Sequence, residues 1–197
     1  MCCAFSVTKS PLEIKGTMEA DHIPPMDSLK RAENEPNFNA LQNSNKVLYD
    51  MVMSLKTDKD GSNLLVMEVS TPHHRVALST GSSKESHAAR GVVACSIARG
   101  EVTVMLKQAM IIAHPYCAQK IRENAGIATE TTETQIDETK AFYRTVFLKM
   151  INYYCEKGLI NEIEKSELEE YVNKDGYLEE NSPEYQEILE AVRRSQR

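Results

Sequence analysis

The segment from Ser82 to Ile127 carries the clearest pattern in this chain: it reads SSKESHAARGVVACSIARG, continues with the apolar run EVTVMLKQAMIIA and ends with HPYCAQKIRENAGI. Its periodicity predicts a helix, a strand and a second helix. His87 then lies near the start of the first helix, and His114 and Cys117 lie at the start of the second. Imidazole nitrogen and thiolate sulfur are both zinc ligands. We therefore expect these three side chains to converge on a zinc ion.

The first of these helices is predicted to be buried. Ser82 and Glu85 have the spacing of a capping box, and Gly100 follows Arg99 as a helix-ending residue. Apolar residues cover most of the circumference between these two ends. A helix that is apolar on nearly every side is typical of the middle of a domain.

Further elements are predicted on both sides of this helix. In chain order they are a helix over Asn45–Lys56, a strand over Leu64–Ser70, a loop TPHH that contains His73 and His74, a strand over Arg75–Ser79, the buried helix, a strand over Glu101–Leu106, and a helix from Pro115 to about Asn124. The apolar run Ala109–Ala113 is expected to continue the strand over Glu101–Leu106 or to form a second one. The two strands around TPHH are expected to form a hairpin. Adjacent histidines in such a loop are expected to be solvated.

The predicted elements divide the chain into three regions. Residues 1–44 contain several prolines and no sustained period, which predicts an irregular N-terminal arm. Residues 45–128 are predicted to be an α/β core, in which helices flank a small central sheet. Residues 129–197 have helical periodicity and are predicted to be a helical C-terminal extension.

The order of elements in the core resembles that of the cytidine and nucleotide deaminase superfamily. In that family one helix begins with H-x-E or C-x-E, a later helix begins with P-C-x-x-C, and the three ligands meet on zinc. His87 and Ala89 stand where the first motif is expected, and His114 and Cys117 stand where the second is expected. The resemblance covers about residues 45–128. It implies a deaminase-like fold with His87, His114 and Cys117 as metal ligands.

The resemblance also implies a loss of catalysis. Deamination needs a carboxylate that carries protons between the zinc-bound water and the leaving amine, and Ala89 occupies that position here. Glu85 lies two residues before His87 instead of two after it. Because an α-helix turns about 100° per residue, Glu85 approaches from another side. The chain is therefore predicted to be a degenerate deaminase-fold protein that binds a nucleotide-like ligand or a protein partner.

A different hypothesis makes Cys117 a catalytic nucleophile. The macrodipole at a helix N-terminus favours the thiolate, and His87 or His114 could act as its base. The chain would then be a cysteine-dependent hydrolase or transferase.

A third hypothesis is an interaction or regulatory protein without a small-molecule site. The C-terminal region carries aromatic residues at helical spacing, namely Phe142, Tyr143, Phe147, Tyr153 and Tyr154. Such a face can bind a protein partner or a second copy in a homodimer, but it is more often part of the core.

The amino-acid composition limits the choice of cellular compartment and of binding partners. The five cysteines of this 197-residue chain are scattered, which indicates a reducing compartment, and the cytoplasm is expected. The apolar runs are shorter than the roughly 18 residues of a membrane-spanning helix, and no signal peptide is expected. The net charge is −6 and no basic cluster stands out, so there is no strong nucleic-acid signal. Acylation of Cys2 and Cys3, which would tether the chain to a membrane, stays open.

Overall fold

Most of the chain folds into helices. The computed structural model describes residues 6–7, 18–58, 61, 64–129 and 136–197. The strands are β1 (Ser6–Val7), β2 (Met18–His22) and β3 (Val66–Ser70). The α-helices are α1 (Met26–Ala32), α2 (Leu41–Ser44), α3 (Lys46–Ser54), α4 (Thr71–Val76), α5 (Lys84–Arg99), α6 (Val102–Ala113), α7 (Pro115–Asn124), α8 (Ile136–Glu156), α9 (Glu162–Asn173) and α10 (Pro183–Ser195). Short 3₁₀ helices cover Phe38–Ala40 and Gly176–Leu178.

The strand β3 lies in the middle of a small sheet. It pairs in parallel with β1 and antiparallel with β2, and the register places Met18 opposite Ser70 and His22 opposite Val66. It is followed at once by α4, because Pro72 suits the first turn of a helix, where no backbone N–H is needed. As a result, α4 packs beside β2 as well as β3.

The helix α5 is the central element of the fold. It packs against α1, α6 and α10, and Ala89, Val93 and Ile97 on it are fully buried. The side chain of Ser83 caps its start by accepting a hydrogen bond from the backbone N–H of Ser86. Gly100 ends it with φ of 75°, in the left-handed region that favours glycine. The predicted buried helix is confirmed, with its cap one residue later than expected.

The predicted α/β fold with a central sheet is wrong. The run expected to be a strand at Glu101–Leu106 and Ala109–Ala113 is the helix α6, and most of its residues are buried. A helix that is buried on nearly every side has no polar face, so its sequence lacks the 3.6-residue period that separates helix from strand. In the part of the chain that the structure describes, the sheet consists of three short strands and the rest of the core is helical. This is not the architecture of a deaminase core.

The predicted hairpin around TPHH is also wrong. The helix α4 occupies the expected loop and the first residues of the expected second strand. The antiparallel partner of β3 is instead β2. That strand lies in the segment expected to be an irregular arm. Residues 18–44 instead contain β2, α1 and α2, and they bury Leu29, Phe38 and Leu41. The pairing was not visible in the sequence because its two strands are far apart along the chain.

The C-terminal helices belong to the core. On α8 the side chains of Tyr143, Phe147 and Tyr154 are buried. The hydroxyl of Tyr154 donates a 2.8 Å hydrogen bond to the backbone carbonyl of Ile23, beside the end of β2. The aromatic face is therefore an internal contact surface. None of the helices in the described residues has an apolar stretch long enough to cross a membrane.

Truncation of a core side chain on α10 tests whether this helix holds the fold together. Ile188 is fully buried and α10 packs on α5, so Ile188→Ala is expected to lower the free energy of unfolding by about 2–5 kcal/mol. Glu190 is exposed on the same helix, and Glu190→Ala is expected to change it by less than about 0.5 kcal/mol. Urea unfolding followed by circular dichroism measures both. Equal midpoints for the two variants would show that α10 is peripheral.

Candidate functional site

The predicted ligand His87 lies on the exposed first part of α5, beside two guanidinium groups. Its Nδ1 is 3.0 Å from Nη2 of Arg90, and Nη2 of Arg31 also contacts it. A guanidinium can only donate, so Nδ1 is the acceptor in both contacts. The lone pair that a metal ion would need is therefore already in use.

The other two predicted ligands lie inside the core. His114 is fully buried, and its ring centroid is 4.7 Å from that of Tyr143 and 5.3 Å from that of Tyr177. Neither ring nitrogen has a hydrogen-bond partner within the described residues. Burial, aided by the charge of nearby His73, lowers the pKa of His114 to about 3. The imidazole is therefore neutral at physiological pH.

The side chain of Cys117 is buried with its thiol protonated. Its Sγ donates to the backbone carbonyl of Tyr177 at 3.2 Å. Burial raises the pKa of this thiol well above its ordinary value. An activated cysteine shows the opposite shift together with access to substrate, so this geometry gives no support to a nucleophilic Cys117.

The structure does not bring the three predicted ligands together. Among the described residues, no group of three or more His, Cys, Asp or Glu side chains is placed to hold a metal ion. The zinc prediction thus rests on the sequence alone. The fourth predicted residue, Glu85, lies 3.4 Å from Nε of Arg122 and links the start of α5 to α7. This ion pair explains Glu85 as a structural residue.

A different group of chemically reactive side chains lines an open cleft of about 330 Å³. The cleft lies between β2, the start of α1 and the loop that joins α4 to α5. Its volume is at the lower end of the range for small-molecule sites, about 300–1,000 Å³. The polar side chains in its walls include Asp21, His22, Asp27, His74, Ser79 and Arg90.

Asp21 is a nearly buried carboxyl group in the wall of this cleft. It is only 4% exposed, and Ser79 Oγ donates to its Oδ2 at 2.8 Å. Burial raises the pKa of Asp21 to about 6, against the opposing effects of the Ser79 hydrogen bond and of His74 and Arg90. The backbone N–H of Ser79 donates to the carbonyl of Ile112 at the end of α6, which fixes the loop that carries this serine.

Arg90 of α5 fixes the opposite wall. Arg90 as a whole residue is 4% exposed, and its Nε donates to Asp27 Oδ2 at 2.7 Å. Its Nη1 donates to the backbone carbonyl of Thr80 at 2.9 Å, and its Nη2 contacts His87. A buried charge is stable only when such partners surround it. Arg90 therefore ties α1 and the Thr80 loop to the core helix and defines the width of the cleft.

His74 of α4 closes the remaining side. Its Nε2 lies 3.2 Å from Oε2 of Glu19 on β2. Its Nδ1 is shielded from solvent and has no hydrogen-bond partner in the described part of the chain. Nε2 of His74 thus lies beside the Glu19 carboxylate, while Nδ1 has no protein partner among the described residues.

Sequence reasoning missed this cleft because its residues come from distant segments. Asp21 and His22 lie in the expected arm, and His74 lies in the expected hairpin loop. The usable signal was the run MEADHIPP, in which an acid and an imidazole stand at the end of a short strand just before two prolines.

The buried imidazole of His114 makes a prediction about stability and pH. The folded protein keeps it neutral down to pH of about 3, whereas in the unfolded chain it gains a proton below about 6.5. The free energy of unfolding therefore falls, through this group, by about 1.4 kcal/mol per unit as pH drops from 6.5 toward 3. Urea unfolding at pH 6.5 and 5 should show that His114→Leu removes this part of the pH dependence.

Ile188→Ala provides the control for that experiment, because it removes part of a fully buried side chain that carries no titratable group. It should lower the free energy of unfolding while leaving the pH dependence as in the unchanged protein. If His114→Leu also leaves the pH dependence unchanged, the imidazole of His114 is not held neutral by burial.

Comparison of the chain with protein-family models, with curated proteins and with solved structures finds no match in any of the three.

Proposed function

We propose that the protein is a hydrolase that cleaves a small polar ester in the Asp21 cleft, with Asp21 as the general base. The observation that carries this proposal is the nearly buried carboxyl group of Asp21, whose pKa of about 6 lies close to physiological pH, in the wall of a solvent-accessible polar cleft. General acid–base catalysis is most efficient when the pKa of the catalytic group is near the working pH. Strongly shifted carboxyl groups in clefts are typical of active sites.

The arrangement gives Asp21 a defined task. Above a pH of about 6 its carboxylate is ionised, and it takes a proton from a water molecule as the water oxygen attacks the ester. Ser79 donates to Oδ2 and holds the carboxylate in place. Ser79 is assigned as a positioning residue, because its hydroxyl donates to the carboxylate that acts on the water.

The size of the cleft supports a small substrate. A volume of about 330 Å³ suits one sugar, nucleoside or similar group. The nucleotide-like ligand predicted from the sequence is compatible with this size. The polar walls favour a substrate with several hydrogen-bonding groups over an apolar one.

Substitution of Asp21 tests the proposal. The full chain is assayed with p-nitrophenyl phosphate and p-nitrophenyl acetate, and Asp21→Asn is expected to reduce kcat/KM for the ester that is hydrolysed by about 10²–10⁴-fold. Below pH of about 6 the rate of the unchanged protein should fall, because protonation removes the base. Asp50 is an exposed aspartate on α3, and Asp50→Asn should leave the rate unaltered.

A second measurement examines the same carboxyl group without an assay. The ¹³C chemical shift of the Asp21 carboxyl, followed by NMR against pH, should titrate near 6. A midpoint near 4, or an Asp21→Asn variant as active as the unchanged protein, would overturn the assignment of Asp21 as the base.

A further inference from the structure

We infer that a second cleft, formed by α4, α5 and α7, binds the phosphate group of a small phosphate monoester. The cleft has a volume of about 320 Å³ and shares no lining residue with the Asp21 cleft. The inference therefore does not depend on the proposed hydrolysis. It is carried by two guanidinium groups in the lining, by the positive charge that they leave unmatched, and by a partly apolar wall.

Arg122 of α7 is a largely buried cation with one unused nitrogen. Its side chain is 13% exposed, and its Nε lies 3.4 Å from Oε1 of Glu85. Its Nη1 donates to the backbone carbonyl of Val76, the last residue of α4. Nη2 has no hydrogen-bond partner among the described residues, and solvent reaches this atom. The N–H groups of Nη2 are therefore available to donate to a bound anion.

Arg75 supplies the second guanidinium group. It lies one residue before the end of α4 and lines the same cleft. The residue is exposed, and its side chain makes no hydrogen bond or ion pair within the described part of the chain. Glu85 carries the one carboxylate in the described lining, so two guanidinium groups face one acid. One positive charge is left over in a chain of net charge −6, and an anion from solution would match it.

Arg90 in the Asp21 cleft shows that an arginine in a cleft wall is not enough for an anion site. Its Nε donates to Asp27, its Nη1 donates to the carbonyl of Thr80, and its Nη2 contacts His87. The carboxyl groups of Asp21 and Asp27 line the same cleft. An anion there would meet like charge and an arginine whose three nitrogens already have partners. The phosphate is therefore assigned to the second cleft.

The two arginines of the second cleft favour a phosphate over a carboxylate. They come from separate helices, Arg75 from α4 and Arg122 from α7. A single guanidinium fork is enough to hold both oxygens of a planar carboxylate. A phosphate monoester carries close to two negative charges near neutral pH and has three accepting oxygens. It can therefore accept hydrogen bonds from both arginines at once, and Thr129 adds a hydroxyl group to the lining.

The turn after α7 leaves room for the rest of the ligand. Gly126 has φ of 75°, and the chain turns back so that the N–H of Ile127 donates to the carbonyl of Arg122 at 2.9 Å. Ile127 and Ala128 thereby join the lining as apolar groups. A phosphate group fills only part of about 320 Å³. The remaining space suits an attached body of about the size of one sugar.

Calorimetric titration of the full chain tests this site. Ribose 5-phosphate is expected to bind at least about tenfold more tightly than ribose, which lacks the phosphate. Inorganic phosphate should compete with ribose 5-phosphate. Arg75→Gln removes one charged donor and is expected to raise the Kd of ribose 5-phosphate by about 10- to 100-fold. Arg122→Lys keeps the charge but removes the planar fork, so it should raise this Kd by about tenfold or more.

Arg194→Gln is the matched control. Arg194 is an exposed arginine on α10 and does not line the cleft, and its replacement changes the net charge by the same amount as Arg75→Gln. It should leave the Kd unaltered. Equal Kd values for Arg75→Gln and Arg194→Gln would show that only the general charge of the protein attracts the ligand, and would overturn the site. Acetate that competes as well as inorganic phosphate would overturn the choice of a phosphate.

NMR of the backbone amides locates the bound ligand. Addition of ribose 5-phosphate should shift the amide signals of Gln119 and Thr129, which line the second cleft. Those of Ala20 and Thr80, which line the Asp21 cleft, should stay in place. Shifts confined to the Asp21 cleft would overturn the inference. Absence of binding by both ribose 5-phosphate and inorganic phosphate would do the same.

Discussion

The buried guanidinium of Arg90 is the constraint on which the geometry of the cleft depends. It belongs to α5, which packs against α1, α6 and α10, and its charge must be matched in a place with little water. Asp27 on α1, the carbonyl of Thr80 and the imidazole of His87 provide that match. Each of them comes from a different part of the chain. A single charged side chain thus assembles α1, α5 and the loop before α5 around one point.

Local signals in the sequence were sufficient to predict several helices but not to predict how the elements are arranged. The C-terminal end of α5 and the start of α7 could be predicted because Gly100 and Pro115 act within one turn of their own position. The helix α6 could not be predicted, because it is buried on almost every side and its sequence lacks the alternation of apolar and polar residues that marks a helix. The pairing of β2 with β3 could not be predicted either. The two strands are separated along the chain by α1, α2 and α3. Two segments that were predicted as strands and that overlap α4 and α6 were enough to suggest a central sheet.

The same distinction applies to the candidate site. His87, His114 and Cys117 were chosen because their chemistry suits zinc, yet chemistry alone does not decide whether side chains meet. Burial placed His114 among aromatic rings, where a neutral imidazole acts as a flat core side chain. The cleft residues were individually ordinary in the sequence. Only tertiary contacts distinguish Asp21 and His74 from other residues of their type. Burial raises the pKa of Asp21, and the carboxylate of Glu19 orients the ring of His74.

The hydrogen bond from Tyr154 to the carbonyl of Ile23 joins residues that are 131 positions apart. During synthesis on the ribosome, β2 emerges early and α8 emerges late. The carbonyl next to β2 therefore has no tyrosine donor until α8 has been synthesised. A nascent chain that ends before α8 lacks this link between the end of β2 and the aromatic part of the core.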